Sequence, residues 1–237
     1  MPAHDASVRS ARRSIATVGA IAVAVAAAAG AALVARPRLA DVRTSLHTSS
    51  SPGARAYGLV FGGPLGPYYA GIAADCARAA ADVPAPSILE VGPGPGHLAV
   101  RLLRAIPGAR WIGLDVDPAM LAATRVRLDR AGLASRAACV EGDVSALPFG
   151  DASFDLVVTS FSTHHWPDAA AGFAEIARVL RPGGIVLAYD LPAWWARLER
   201  GSGGLRAGLG AFPDAAITRR HGAGPVTIVE LLEATRS

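Results

Sequence analysis

From residue 85 onward the chain alternates short apolar runs with longer stretches of helical periodicity, and few architectures accept that pattern. Parallel strands need a crossover of a dozen or more residues, which amphipathic helices supply, so the alternation predicts βαβ units in one sheet covered on both faces. The predicted strands lie at 87–91, 111–115, 137–141, 155–160 and 185–190. Between them Ala99, Leu102, Leu103 and Ile106 recur at helical spacing, as do Phe173, Ile176, Ala177 and Leu180. Asp117-Pro118 supplies an N-cap and a proline at the first helical position. Near the C-terminus, 216–220 and 225–234 flank His221-Gly222-Ala223-Gly224 and predict an antiparallel hairpin that closes the sheet.

Upstream the character changes. Residues 14–35 form an uncharged run of 22 residues, half of them alanine. As a helix at ~1.5 Å per residue it is about 33 Å long, close to the roughly 30 Å hydrocarbon core of a bilayer. Three readings fit it: a transmembrane anchor, a secretory signal peptide with Arg9, Arg12 and Arg13 as its basic start, or a non-native extension of a soluble enzyme. Arginines flank the run on both sides, with a slight lean toward a cytoplasmic C-terminal side. The resulting division is a basic head at 1–13, the apolar run at 14–35, a Ser/Thr-rich linker at 36–52, and one folded domain at 53–237.

The net charge of +4 is unevenly placed, because seven of the 23 basic residues, all arginine, lie at or before Arg55 against only Asp5 and Asp41. The rest of the chain has 16 arginines against 17 acids, which removes the basic surplus that nucleic-acid binding requires. Arg125, Arg127, Arg130 and Arg136 read as a solvated helix face. Cys76 and Cys139 have neither disulfide-framework number nor metal-ligand spacing, so no metal site is expected.

In open α/β sheets ligands bind beyond the carboxyl ends of the strands, so the residues that follow each strand carry the chemistry. The first strand runs into Glu90-Val91-Gly92-Pro93-Gly94-Pro95-Gly96-His97, whose alternate glycines let backbone turn tightly against a ligand before a helix begins. The second ends at Asp115, where a carboxylate can pair with both hydroxyls of a ribose. The third ends in Gly142-Asp143, placed to meet an adenine amino group. A dinucleotide oxidoreductase also uses a glycine turn and an acid after its second strand. Its G-x-G-x-x-G spacing would demand glycine at position 97, which is His97, and it has no use for an acid after strand three.

The stretches EVGPGPG, LDVDPAML, GDVSALPF, FDLVVTSFSTHHWPD and RVLRPGG together resemble the class I S-adenosylmethionine-dependent methyltransferases, in particular the type that methylates quinones, lipids and other small molecules. The resemblance covers about 87–190 closely and the terminal hairpin loosely. It implies a Rossmann-like, seven-stranded α/β sheet, mostly parallel with the hairpin antiparallel, and S-adenosyl-L-methionine as cofactor. It further implies Gly92, Gly94 and Gly96 along the methionine part with Glu90 in support, Asp115 on the ribose, Val116 and Met120 near the adenine, Asp143 with Val144 at its amino group, and Phe161 flanking the pocket.

Methyl transfer from a sulfonium needs alignment and exclusion of water, and needs a base only where the acceptor gives up a proton. His165 and His164, just past the fourth strand, are the catalytic candidates, with Asp168 nearby to orient one of them and His165 the expected base. Tyr68, Tyr69, Trp194 and Trp195 could pack in the core or face the acceptor, and Gly201-Ser202-Gly203-Gly204 leaves little room for an acceptor-binding insertion. Because S-adenosylmethionine is a cytosolic metabolite, the expected protein is a single-pass membrane enzyme with its domain in the cytoplasm, acting on a small or lipid-like acceptor. The competing expectation is a non-catalytic module that keeps the cofactor site and serves as a membrane-bound scaffold or sensor.

Overall fold

A computed structural model describes residues 66–190, 204–221 and 227–237. The head, the apolar run at 14–35, the linker, Trp194 and Trp195 lie outside the described residues. No described helix is long and apolar enough to cross a membrane.

β1 (Ser87–Val91) occupies the middle of the sheet, and its apolar residues explain why. Ile88 and Leu89 point to opposite faces, and both are fully buried, so this strand needs cover on each side. β2 (Arg110–Asp115) pairs with one edge of β1 and β4 (Phe154–Ser160) with the other, both parallel. β3 (Ala137–Glu141) continues outward from β2. On the opposite side β5 (Leu180–Asp190) pairs parallel with β4, and then antiparallel with β7 (Thr227–Thr235), which carries β6 (Ala216–His221) at the edge. The order β3-β2-β1-β4-β5-β7-β6 is the expected seven-stranded, mostly parallel α/β sheet with a terminal hairpin.

α1 (Gly66–Ala79), α2 (His97–Ala105) and α3 (Pro118–Arg130) cover one face, where Cys76, Leu98, Leu102 and Leu128 join Ile88, Trp111 and Val158. α4 (Ala169–Val179) and the short α5 (Gly208–Ala211) cover the other, packing Phe173 and Ile176 on Leu89, Val157 and Val186. Asp117 caps α3 as expected, its side chain accepting from the Ala119 N–H at 2.8 Å, with Pro118 next.

Two helical patterns end earlier than their periodicity suggests. Ile106 is the C-cap of α2 rather than part of it, and Leu180 opens β5, where Gly183 at φ 78° bends the chain into the strand. The arginine cluster on α3 and after it is not merely solvated. Arg136 donates to the carbonyls of Leu103, Ile106, Pro107 and Ala109, closing the C-terminus of α2, while Arg125 reaches the Cys139 carbonyl and Arg127 the Pro95 carbonyl. Guanidinium groups fit this use because they carry several donors in a fixed fork.

Candidate active site

The chain moves outward from β1 to β2 and β3, then returns to β4 on the other side of β1. This reversal opens a crevice beyond the carboxyl ends of β1 and β4, the place where an α/β sheet binds ligands. The loop after β1 and the turn after β4 meet there. Gly92 has φ 68°, and a Cβ at this position would lie 2.3 Å from Ser162 Oγ, so both conformation and space demand glycine. Gly94 and Gly96 are also left-handed, at φ 53° and 78°, and the Cβ direction of Gly94 opens onto empty space. Thr124 fixes the loop from α3, its hydroxyl donating to the Gly94 carbonyl at 2.7 Å.

Glu90 lies beneath the loop and is buried, accepting a hydrogen bond from Trp111 Nε1 at 2.9 Å. The Trp111 ring reaches it across Gly113, where a Cβ would lie 2.2 Å from the ring, so a glycine in the middle of β2 makes room for the contact. Burial, reinforced by the nearby Asp115, pushes the Glu90 carboxyl up to about 8. At neutral pH it is largely protonated, a support under the loop rather than a charge facing a ligand.

Asp115 ends β2 half-buried, and its Oδ1 accepts from the Asp117 N–H at 3.0 Å. Val116 beside it is 65% exposed, whereas Met120 is buried in the first turn of α3. Asp143 is exposed at the turn after β3, one oxygen accepting both the N–H and the hydroxyl of Ser145 at 2.8 Å, and Val144 next to it is buried. These residues occupy consecutive strand ends on one edge of the sheet. An exposed apolar residue beside a carboxylate, and open backbone at Gly94, suit an adenosyl group bearing an amino acid tail.

Phe161 is buried with φ 55°, a backbone state that costs a bulky residue of order 1 to 3 kcal/mol and concentrates at functional sites. Its N–H is held by the Tyr189 carbonyl at 2.8 Å, and Tyr69 of α1 meets its ring edge-on. Tyr69 is also stacked with His97, so it packs in the wall, whereas Tyr68 remains half-exposed.

A turn at Thr163–His165 follows. His164 Nδ1 lies 2.7 Å from Asp190 Oδ1, while Asp190 Oδ2 accepts from the His164 N–H at 3.0 Å and from the Thr163 hydroxyl. Both side chains of the pair are nearly buried, at 9% and 4% exposure. His165 is exposed, with its ring 4.0 Å from that of His164. Asp168 orients neither: it caps α4, accepting from the Ala171 N–H at 2.9 Å. The orienting acid is Asp190, at the end of β5 and 26 residues away in sequence, a pairing that only the β4–β5 contact reveals.

Residues 88–184 match the family model of the methyltransferase domain. A demethylmenaquinone methyltransferase from Thermus thermophilus is 38% identical over 105 residues, covering 44% of this chain and 47% of that protein. A fatty-acid O-methyltransferase from Mycolicibacterium smegmatis is 40% identical over 122 residues, covering 49% and 43%. The chain thus spans less than half the length of these relatives. Among solved structures, a candidate S-adenosyl-L-methionine-dependent methyltransferase from Methanococcus maripaludis superposes with a TM-score of 0.63 at 21% identity, covering 78% of this chain and 92% of that one, which shows a shared fold. The motifs, the strand order and the family match agree: residues 88–184 carry a methyltransferase domain, set in a sheet with the fold of the class I S-adenosylmethionine-dependent methyltransferases.

Proposed function

We propose that the protein transfers a methyl group from S-adenosylmethionine to a small, apolar or membrane-associated acceptor, with His164 as the base where the acceptor atom loses a proton. The observation that carries this reading is the convergence of the glycine loop, Asp115, Asp143 and the His164–Asp190 pair at the carboxyl ends of β1 to β5. S-adenosylmethionine, when bound, supplies an electrophilic methyl group on a positively charged sulfur.

The chain's own work is positional. The loop at Gly92, Gly94 and Gly96 would hold the methionine part over Glu90, Asp115 the ribose, Val116 and Met120 the adenine ring, and Asp143 with Val144 its amino group. Phe161 walls the site. Such alignment supplies several kcal/mol of rate enhancement, up to about 7 to 11 in ideal cases. In a neutral ring, an Asp190 oxygen accepting at Nδ1 would favour the tautomer that carries its proton there and its lone pair on Nε2, the form a general base uses.

Relatives named for menaquinone and fatty-acid substrates favour an apolar acceptor. The apolar run at 14–35 is read as a single-pass tether with the domain in the cytoplasm, where S-adenosylmethionine is made and where such an acceptor is within reach of the bilayer.

Calorimetry of S-adenosylmethionine and S-adenosylhomocysteine binding tests the site, with Asp115→Ala as the control. Binding lost in the variant supports it, and no binding by the wild type removes the reading. Transfer of labelled methyl to quinols or fatty acids then tests the acceptor class. Binding without turnover on either class would leave a non-catalytic cofactor-binding module.

A further inference from the structure

The outer surface between α2 and α3 holds a groove of about 610 Å³ that the methyl-transfer reading does not use. Arg101 and Arg104 line it from α2, Arg127 and Arg130 from α3. None of the four forms an ion pair with a carboxylate among the described residues. The floor between them is apolar, with Val100 half-buried and Val126 49% exposed. Overall the domain is nearly balanced in charge, so the fold has gathered positive charge here without gathering the acids that would offset it.

That arrangement is held, not incidental. Arg127 Nε donates to the Pro95 carbonyl at 2.6 Å, and Arg101 to the His97 carbonyl at 3.0 Å, so these guanidinium groups are fixed close to one another by the loop they brace. Their mutual repulsion leaves a mark. Burial, then Arg101 and Arg130, lower the proton affinity of Arg127, and burial with Arg127 and Arg101 holds His97 down at about 4. Fixed like charges without counter-charges are a preformed anion site. An apolar strip between them adds the second half of an amphiphile's chemistry, and the one ring that lines the groove, His97, is already stacked on Tyr69.

We propose that the α2–α3 groove binds an anionic phospholipid, its headgroup phosphate among the four arginines and its glycerol and first acyl carbons against Val100 and Val126. The lining fits such an occupant. The four positive charges complement a phosphate headgroup, and the apolar strip between them complements the carbons attached to it. The inference is independent of the acceptor and of methyl transfer. It gives the domain a contact of its own with a negatively charged membrane, at a groove wall tied directly to the glycine loop.

The test uses the full chain in a neutral maltoside detergent, titrated calorimetrically with dihexanoylphosphatidylglycerol, dihexanoylphosphatidylcholine and inorganic phosphate. Arg104→Gln/Arg130→Gln is the variant, because both residues are exposed and neither makes a hydrogen bond to another described residue. The arginines upstream of the domain are the same in both proteins, so a difference between them isolates the groove. The expected result is saturable phosphatidylglycerol binding, at least about tenfold tighter than phosphatidylcholine, weakened roughly tenfold or more in the variant. Arg104→Lys/Arg130→Lys, which keeps the charge, should retain binding within about threefold. Equal binding of the two lipids, or phosphatidylglycerol binding unchanged in the Gln variant with native circular dichroism, would overturn the proposal. So would inorganic phosphate binding as tightly as the lipid, or a single-stranded oligonucleotide displacing the lipid at lower concentration.

Discussion

The Nδ1 atom of His164 stands 2.7 Å from Oδ1 of Asp190, at the far end of the neighbouring strand. The second Asp190 oxygen is engaged by the Thr163 hydroxyl and the His164 N–H, so the carboxylate fixes both the turn and the ring. Asp190→Asn replaces an acceptor facing Nδ1 by a group that can donate, which favours the opposite tautomer. For acceptors that lose a proton, kcat is expected to fall roughly 10²- to 10⁴-fold in Asp190→Asn and in His164→Ala. Affinity for S-adenosylhomocysteine should stay near wild type, and the rate of Asp190→Asn should change its pH profile. Steady-state kinetics on His165→Ala provide the contrast: a larger loss there than in His164→Ala would transfer the base role to His165.

Gly92 is enclosed by the turn after β4, whereas Gly94 is not. In Gly92→Ala a left-handed backbone state, costing roughly 1 to 2 kcal/mol, adds to overlap with both Ser162 Oγ and Cβ. A total loss of roughly 2 to 4 kcal/mol is expected. Gly94→Ala carries only the backbone part, roughly 1 to 2 kcal/mol. Urea unfolding of the two variants, together with Gly92→Ala/Ser162→Gly, separates the contributions. The double variant should recover part of the loss. No recovery would mean that Ser162 is not what excludes a side chain at Gly92.

The buried Glu90 ties stability to pH. Its carboxyl titrates near 4.5 in the unfolded chain and near 8 in the fold, so between these values the unfolded state has released a proton that the native state keeps. Stability from this group is therefore full below pH 4.5 and is lost as pH rises toward about 8, with a slope of at most about 1.4 kcal/mol per pH unit. His97 acts in the opposite direction. Held down from 6.5 to about 4, it stays neutral while the unfolded chain takes up a proton, so its contribution rises with pH across that window and is complete above 6.5. The interval from pH 6.5 to 8 thus isolates Glu90. Over it the unfolding free energy of Glu90→Gln should gain roughly 2 kcal/mol relative to wild type. A difference that stays constant across this interval would show that Glu90 is ionised in the fold.

The sheet was legible because its signals are local. Each strand is a short apolar run, and the acids that end β2 and β3 stand next to them in sequence. The glycine loop was legible for the same reason. What the sequence concealed depends on pairing between distant strands. Asp190 reaches His164 only because β5 lies beside β4, while the nearer Asp168 was already committed to capping α4. Trp111 finds Glu90 because β2 pairs with β1 and Gly113 leaves space, and neither residue type announces that contact. The arginines were concealed differently: a guanidinium on a helix looks solvated until the carbonyls at the end of another helix are placed around it.

Arg136 is where that last difference can be measured. After its helix ends, α2 leaves unsatisfied carbonyls, and the Arg136 guanidinium accepts the task through Leu103 and Pro107 at 2.7 Å, Ile106 at 3.2 Å and Ala109 at 3.3 Å. Hydrogen bonds with a charged partner contribute more than neutral ones, and removing this donor leaves partly buried carbonyls with no substitute except water. Arg136→Ala is expected to cost roughly 1.5 to 3 kcal/mol. Arg104→Ala, on a solvated part of α2, should stay within about 0.5 kcal/mol of wild type. Urea midpoints of the two variants decide the matter. Equal small losses would return Arg136 to the solvated face, whereas a loss confined to Arg136 makes it the side chain that closes α2 against the β3 side of the sheet.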